Sequence, residues 1–165
     1  MSDRQQHIIS VVVQNKAGVL ARIAGLFSSR GYNIDSLAVG ETEDPMLSRI
    51  TLVTSGDESV IEQIRKQLNR LIDVIKVYEF DDEDYIERDL LLVKVTAPPG
   101  KRGEIMQIAD VFRGKIVDVG ARHMVVELSG PESKITAMID LLRPFGIKEM
   151  VRSGRIALTR GVKQI

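Results

Sequence analysis

The sequence predicts an α+β protein built from two successive βαββαβ units. The two halves of the chain show the same order of strand-like and helix-like apolar patterns. An acidic segment, Asp81-Asp82-Glu83-Asp84, interrupts the apolar pattern between them. Segments 55–59 and 129–133 both begin with Ser-Gly and both precede the second helix of their half. These observations indicate an internal duplication.

The first half is predicted to contain six elements. Residues 8–13 are rich in β-branched side chains, whereas the apolar positions between Val19 and Phe27 recur with a helical period. Gly31 is predicted to end this helix. The predicted elements are strand 7–14, helix 18–30, strands 32–40 and 47–54, helix 57–70 and strand 73–80.

The second half repeats this order. Ser55 and Ser129 are each interpreted as the cap of a capping box at the second helix of their half. The predicted elements are strand 89–97, helix 102–113, strands 115–119 and 122–129, helix 131–143 and a final strand region 147–159. The predicted domains are 1–80 and 87–165, joined by an acidic linker, 81–86.

Composition excludes several classes of function. The 23 basic and 23 acidic residues cancel and only 4% of residues are aromatic, so binding to nucleic acid is not expected. No apolar run approaches the ~18 residues of a membrane span and the N-terminus is polar, so we expect a cytoplasmic protein without a membrane partner. The absence of cysteine excludes disulfides and thiolate metal sites.

The loop between the first strand and the first helix is a candidate ligand site. Asn15 lies three positions before Gly18, where the strand turns into the helix. The first-turn N–H groups of a helix favour a carboxylate or a phosphate, and an amino acid suits such a site. Short polar residues are also common at ordinary turns, so the residues alone leave both interpretations open. The corresponding loop of the second half, Ala97-Pro98-Pro99-Gly100, lacks the polar side chain and two backbone donors.

No catalytic constellation is evident in the sequence. His7 and His123 stand in no recognisable motif, and we expect surface or pairing roles for them and neither catalytic nor metal-binding residues. Met106, Met138 and Met150 are predicted to fill the core. The cations near the C-terminus are compatible with docking to an acidic partner or with a solvated final strand: Arg152, Arg155, Arg160 and Lys163.

Several stretches carry a resemblance to a known family, and together they extend from Ile8 to Val162. They are 15–22, 26–37, 44–51, 87–94, 112–119 and 152–161, reading NKAGVLAR, LFSSRGYNIDSL, DPMLSRIT, ERDLLLVK, FRGKIVDV and RSGRIALTRG. The first two resemble an ACT domain, a module that senses amino acids. The full set is similar to the small regulatory subunits of acetolactate synthase, also called acetohydroxyacid synthase.

The resemblance implies two ferredoxin-like domains, of which the first is an ACT domain that forms a homodimer and binds valine or another branched-chain amino acid. It implies activation and feedback inhibition of a separate catalytic subunit, which alone would carry thiamine diphosphate, Mg and FAD. No cofactor is expected on this chain. The implied effector site combines residues of two chains: Asn15, Gly18, Val19 and Leu20 of one, and Asn33 and Ile34 of the other.

Two other functions stay open at this point. A free-standing ACT regulator with a different target would share the N-terminal stretches alone. An RNA-binding ferredoxin-like module should present aromatic pairs on its central strands, and the sequence has none there.

Overall fold

The computed structural model describes residues 5–81 and 84–161. It contains two sheet-and-helix units, each with βαββαβ order, and so confirms the predicted fold class. The first unit contains β1 (Gln6–Gln14), α1 (Val19–Ser29), β2 (Ser36–Glu41), β3 (Leu47–Ser55), α2 (Glu58–Asn69) and β4 (Val74–Phe80). Its antiparallel sheet has the order β2-β3-β1-β4.

The core of the first unit forms where helices cover one face of this sheet. Alternate residues of β1, including Ile9 and Val11, are fully buried there against Ile23 and Phe27 of α1 and Leu68 of α2. Pairing between β1 and β3 is continuous over nine residue pairs.

The second unit repeats the order with its own core. Its elements are β5 (Tyr85–Thr96), α3 (Arg102–Val111), β6 (Lys115–Val119), β7 (His123–Gly130), α4 (Glu132–Leu142), a 3₁₀ turn (Arg143–Phe145) and β8 (Ile147–Arg152). The last strand of the chain is β9 (Ile156–Thr159). The path of its sheet is β6-β7-β5-β8, and β9 pairs with β5. The predicted final strand region therefore consists of two strands.

The chain divides differently from the predicted domains at two places. Residues 156–161 group with the first unit instead of with the rest of the predicted domain 87–165, because Ala157 packs with Ile8, Val53 and Phe80. Tyr85 and the following residue lie in β5 and not in the predicted linker 81–86. Residues 82 and 83 of that linker lie outside the described residues.

The predicted capping boxes are wrong. Asp57 caps α2 by accepting a hydrogen bond from the backbone N–H of Val60 at 2.9 Å, and the Ser55 hydroxyl donates to Asp35 instead. Pro131 occupies the cap position of α4, with no capping side chain.

Candidate functional site

The N-terminal end of α1 presents unpaired backbone donors. Gly18 occupies the cap position in a left-handed conformation, φ 86°, and no side chain caps the helix. Its carbonyl accepts the first regular helical bond, from the N–H of Arg22 at 3.0 Å. Within residues 5–81 and 84–161, the N–H of Leu20 has no protein acceptor. Such an end attracts an anion through its N–H groups and the helix dipole.

Arg22 places a guanidinium beside this end, held in an ion pair with Asp73. Its guanidinium donates a hydrogen bond to the buried carboxylate of Asp73, and its Nη1 lies 3.6 Å from where a Cβ on Gly18 would stand. The sequence interpretation missed both residues of this pair. The four-residue spacing from Gly18 to Arg22 was an available signal, since such residues share one helix face.

Asn15, three residues before Gly18, has its side-chain amide held in place by hydrogen bonds. Its Nδ2 donates to Glu41 Oε1 at 3.1 Å and to the carbonyl of Pro45 at 3.0 Å, and its backbone N–H donates to the carbonyl of Met46 at 2.8 Å. Both amide hydrogens are thus engaged, and Oδ1 is left to accept. Glu41, at the end of β2, is a second residue of this site that sequence interpretation did not find.

The C-terminal end of α1 is formed by a Schellman motif. Gly31 has φ 70°, its N–H donates to Ser28 at 3.2 Å, and the N–H of Tyr32 donates to Phe27 at 2.9 Å. The rings of Phe27 and Tyr32 also pack edge to face, 6.1 Å between centroids. This arrangement confirms the predicted role of Gly31 and delays β2 until Ser36.

Asn33 follows this motif on the rim of a cavity of about 640 Å³. Its Nδ2 donates to Asp35 Oδ1 at 2.6 Å, and its carbonyl accepts from the hydroxyl of Thr54 at 2.7 Å. Ile34 beside it is half-buried against the core of the first unit. Asn33 therefore also presents an accepting Oδ1 at a fixed place.

The structure gathers the predicted site residues into two groups, not one. Asn15, Gly18, Val19 and Leu20 lie at the start of α1, and Asn33 and Ile34 lie past its end. The helix has 11 residues, which corresponds to about 16 Å along its axis. Val19 is buried, so its backbone alone is available, whereas the side chain of Leu20 is exposed.

Large apolar side chains are exposed around the start of α1. Met46 is 72% and Ile72 is 91% exposed, beside Asn15 and Asp73 respectively, and Leu20 is 41% exposed. Exposed apolar side chains grouped around a polar site are typical of a surface that a partner covers.

The second unit has no equivalent of this site. The cap position of α3 is Lys101 in a right-handed conformation, and the N–H of Lys101 donates to Pro98 at 2.8 Å. Arg102 donates to the carbonyls of Gly120 and Ala121, so its guanidinium holds the loop closed. The loop before α3 thus differs in structure from the loop before α1, as the comparison of the two loop sequences predicted.

The remaining candidate residues have structural partners. His7 hydrogen-bonds Glu79 at 2.8 Å, and His123 hydrogen-bonds Asp118 at 2.9 Å. Met138 is buried as predicted, whereas Met106 and Met150 are 49% and 45% exposed, so their prediction as core residues is wrong.

Arg152 and Arg155 form internal ion pairs, which removes them from the proposed docking cluster. Arg152 donates to Asp89 at 2.8 Å and also to Glu132, and Arg155 donates to Glu87 at 2.6 and 2.9 Å. Burial lowers the pKa of Arg152, but these hydrogen bonds to Glu132 and Asp89 outweigh it and raise the pKa above its ordinary value. Lys163 lies outside the described residues.

In the described part of the chain, no group of three His, Asp or Glu side chains is arranged to hold a metal ion. None of the helices there is long and apolar enough to cross a membrane.

Both halves of the chain match family models of known proteins. Residues 88–161 match the family described as the small subunit of acetolactate synthase, and residues 9–76 match the ACT domain of such small subunits. The second match confirms that the first unit is an ACT domain.

Relatives match over nearly the whole chain. A probable acetolactate synthase small subunit of Archaeoglobus fulgidus is 53% identical, over 96% of this chain and 99% of the relative. The acetolactate synthase small subunit of Aquifex aeolicus is 51% identical, over 94% and 82% respectively. The crystal structure of the small subunit from Thermotoga maritima superimposes with a TM-score of 0.87 at 40% identity, covering 96% of this chain and 99% of that one. The chain therefore belongs to the family of acetolactate synthase small subunits.

Proposed function

We propose that this chain is the non-catalytic regulatory subunit of acetolactate synthase. It binds the thiamine-diphosphate-dependent catalytic subunit, raises its activity and makes it subject to feedback inhibition by valine. The names of the relatives support this enzyme as the target. The family match over residues 88–161 favours it over a free-standing ACT regulator, which has no need of that domain.

The observation that carries effector binding is the geometry at the start of α1. The free N–H of Leu20, the left-handed turn at Gly18 and the guanidinium of Arg22 together suit a carboxylate. Accepting oxygens of Asn15 and Glu41 stand on the neighbouring loop and strand. An α-amino acid carries a carboxylate and an ammonium group on one carbon atom, and these complement the donors and the acceptors of the site.

The site is completed by a second copy of this chain. The residues at the two ends of α1 lie about 16 Å apart, too far for one amino acid to contact both within a chain. A two-fold pairing places Asn33 and Ile34 of one protomer against Asn15 and Gly18 of its partner. The exposed side chains of Met46, Ile72 and Leu20 are then covered on pairing.

Leu20 and Ile34 supply apolar contact for a branched side chain. A pocket of this kind distinguishes ligands that differ by one methylene by only ~1 to 3 kcal/mol. Valine, isoleucine and leucine should therefore bind with graded affinities.

Two measurements test the proposal. Calorimetry with L-valine and L-alanine should show tighter binding of valine, because valine buries two further methyl groups worth about 1.6 kcal/mol. Addition of the chain to the isolated catalytic subunit should raise acetolactate production, and valine should then lower it. Failure to bind any branched-chain amino acid, or failure to change catalytic activity, would contradict the corresponding half of the proposal.

A further inference from the structure

We propose that Glu41 is the counter-charge that recognises the ammonium group of the effector, so that the site selects an α-amino acid over the 2-oxo acid with the same carbon skeleton. This inference rests on the proposed function, since it takes a branched-chain amino acid to occupy the start of α1. It adds a specificity-determining residue that the sequence did not reveal.

The carboxylate of Glu41 lies beside the site without a cationic partner. Its Oε1 accepts from Asn15 Nδ2 at 3.1 Å. Within residues 5–81 and 84–161, no Lys, Arg or His side chain forms an ion pair with it. An exposed carboxylate that already accepts one hydrogen bond retains further lone pairs for a cation.

Asn15 reinforces this acceptor character. Its two amide hydrogens are used by Glu41 and by the carbonyl of Pro45, so Oδ1 is the polar atom of this side chain that is left for a ligand. An ammonium group has three hydrogens to donate and nothing to accept. Two accepting groups side by side therefore fit an ammonium group and disfavour a carbonyl oxygen.

The opposite charge lies on the other side of the same loop. Arg22 is anchored by Asp73, and its Nη1 lies 3.6 Å from the Cβ position of Gly18. The site thus has hydrogen-bond donors and the positive end of the helix dipole at the helix start, and a carboxylate at the end of β2. A zwitterion satisfies both sides, whereas a 2-oxo acid satisfies the positive side alone and places a carbonyl oxygen against two acceptors.

The test compares L-valine with 3-methyl-2-oxobutanoate, which carries a ketone in place of the ammonium group. Calorimetry on the parent chain should give tighter binding of valine by ~100-fold or more, since a charged hydrogen bond is lost and acceptors are left unmatched. Glu41→Gln keeps the size and an oxygen that accepts from Asn15. It should weaken valine binding by ~10- to 100-fold and change oxo-acid binding less than ~threefold.

Glu43→Gln is the matched control, because it removes the same charge from an exposed side chain two residues away. It should bind both compounds as the parent does. Valine binding by Glu41→Gln at parental strength would overturn the inference and leave the proposed function intact. Equal losses for both compounds would also overturn it, because they would show that Glu41 acts only by holding Asn15. A parent chain that binds neither compound would instead refute the proposed function.

Discussion

Substitution of Gly18 by aspartate should abolish valine binding without unfolding the chain. Gly18 has φ 86°, so an L-residue there costs about 1 kcal/mol of backbone strain. The new carboxylate would stand beside the guanidinium of Arg22, whose Nη1 is 3.6 Å from the Cβ position. An exposed ion pair with Arg22 and the interaction with the helix dipole should each stabilise the variant by roughly 0.5 kcal/mol. The free energy of unfolding should therefore change by less than about 1 kcal/mol.

The effect on the ligand should be much larger. The aspartate would occupy the place where the carboxylate of valine binds, and two carboxylates held about 4 Å apart repel by about 4 kcal/mol at an effective dielectric constant near 20. This corresponds to a loss of affinity of roughly 1000-fold. Calorimetry with valine measures this loss, and urea unfolding measures the stability.

Two controls separate charge from other effects. Gly18→Asn has nearly the same shape, tolerates a left-handed conformation and carries no charge, so it should bind valine at least ~10-fold better than Gly18→Asp. Gly25→Asp introduces the same charge at an exposed position of α1 where a new Cβ contacts nothing, and it should bind valine normally. If Gly18→Asp binds valine as the parent does, the carboxylate of valine does not bind at the start of α1. If the asparagine variant loses as much affinity as the aspartate variant, electrostatic repulsion is not the cause.

The other predictions concern the dimer and the two units. A heterodimer of Asn15→Ala and Asn33→Ala chains should contain one undamaged and one doubly damaged site, so calorimetry should detect half of the parental sites at full affinity. The absence of full-affinity sites would refute an effector site shared between two chains. Ala157→Asp should lower the free energy of unfolding in urea by about 3 kcal/mol, because it places a charge in an apolar cluster at a position that is 7% exposed. The control Leu158→Asp, at a 57% exposed position, should lower it by less than about 0.5 kcal/mol. Equal losses in the two variants would show that burial is not the cause. Arg113→Gly should raise the free energy of unfolding by about 0.5 to 1 kcal/mol, because Arg113 has φ 57°, and no gain would mean that the arginine side chain compensates for the strain.

Sequence patterns predicted the features that depend on local chemistry. Apolar periodicity predicted the order of the strands and helices, and Gly31 was correctly predicted to end α1 because its left-handed turn needs only neighbouring residues. The same logic failed at Ser55, which lies two residues too early: α2 begins at Glu58, so Asp57 is the residue that reaches the N–H of Val60. In the second unit, the residue with a left-handed conformation after α3 is Arg113 and not a glycine, so no local pattern indicated it.

Contacts between distant segments lay beyond any local pattern. Arg22 and Asp73 are 51 residues apart, and Asn15 and Glu41 are 26 residues apart, so their pairing follows from the sheet register and not from spacing. The position of Ala157 in the first unit likewise depends on how the C-terminal segment folds back. The loops of the candidate site could therefore be predicted from the sequence, whereas the charged groups that lie beside them required the structure.

The proposed site links effector binding to association of the two chains. In the proposed site, Asn15 and Asn33 reach the ligand from different protomers, so valine should bind the dimer and not the separated chain. By mass action it should then stabilise the dimer by RT ln(1 + [L]/Kd) per site. Control of the catalytic subunit is then a coupling free energy between this dimer and the contact with the enzyme, expected at ~1 to 3 kcal/mol. Since such coupling is reciprocal, a dimer bound to the catalytic subunit must bind an inhibitory effector more weakly than the free dimer does. The proposed function assigns activation and valine sensing to different surfaces, so Gly18→Asp should raise catalytic activity to the parental level and keep it there as valine is added. If this variant folds but fails to activate, sensing and activation share one surface.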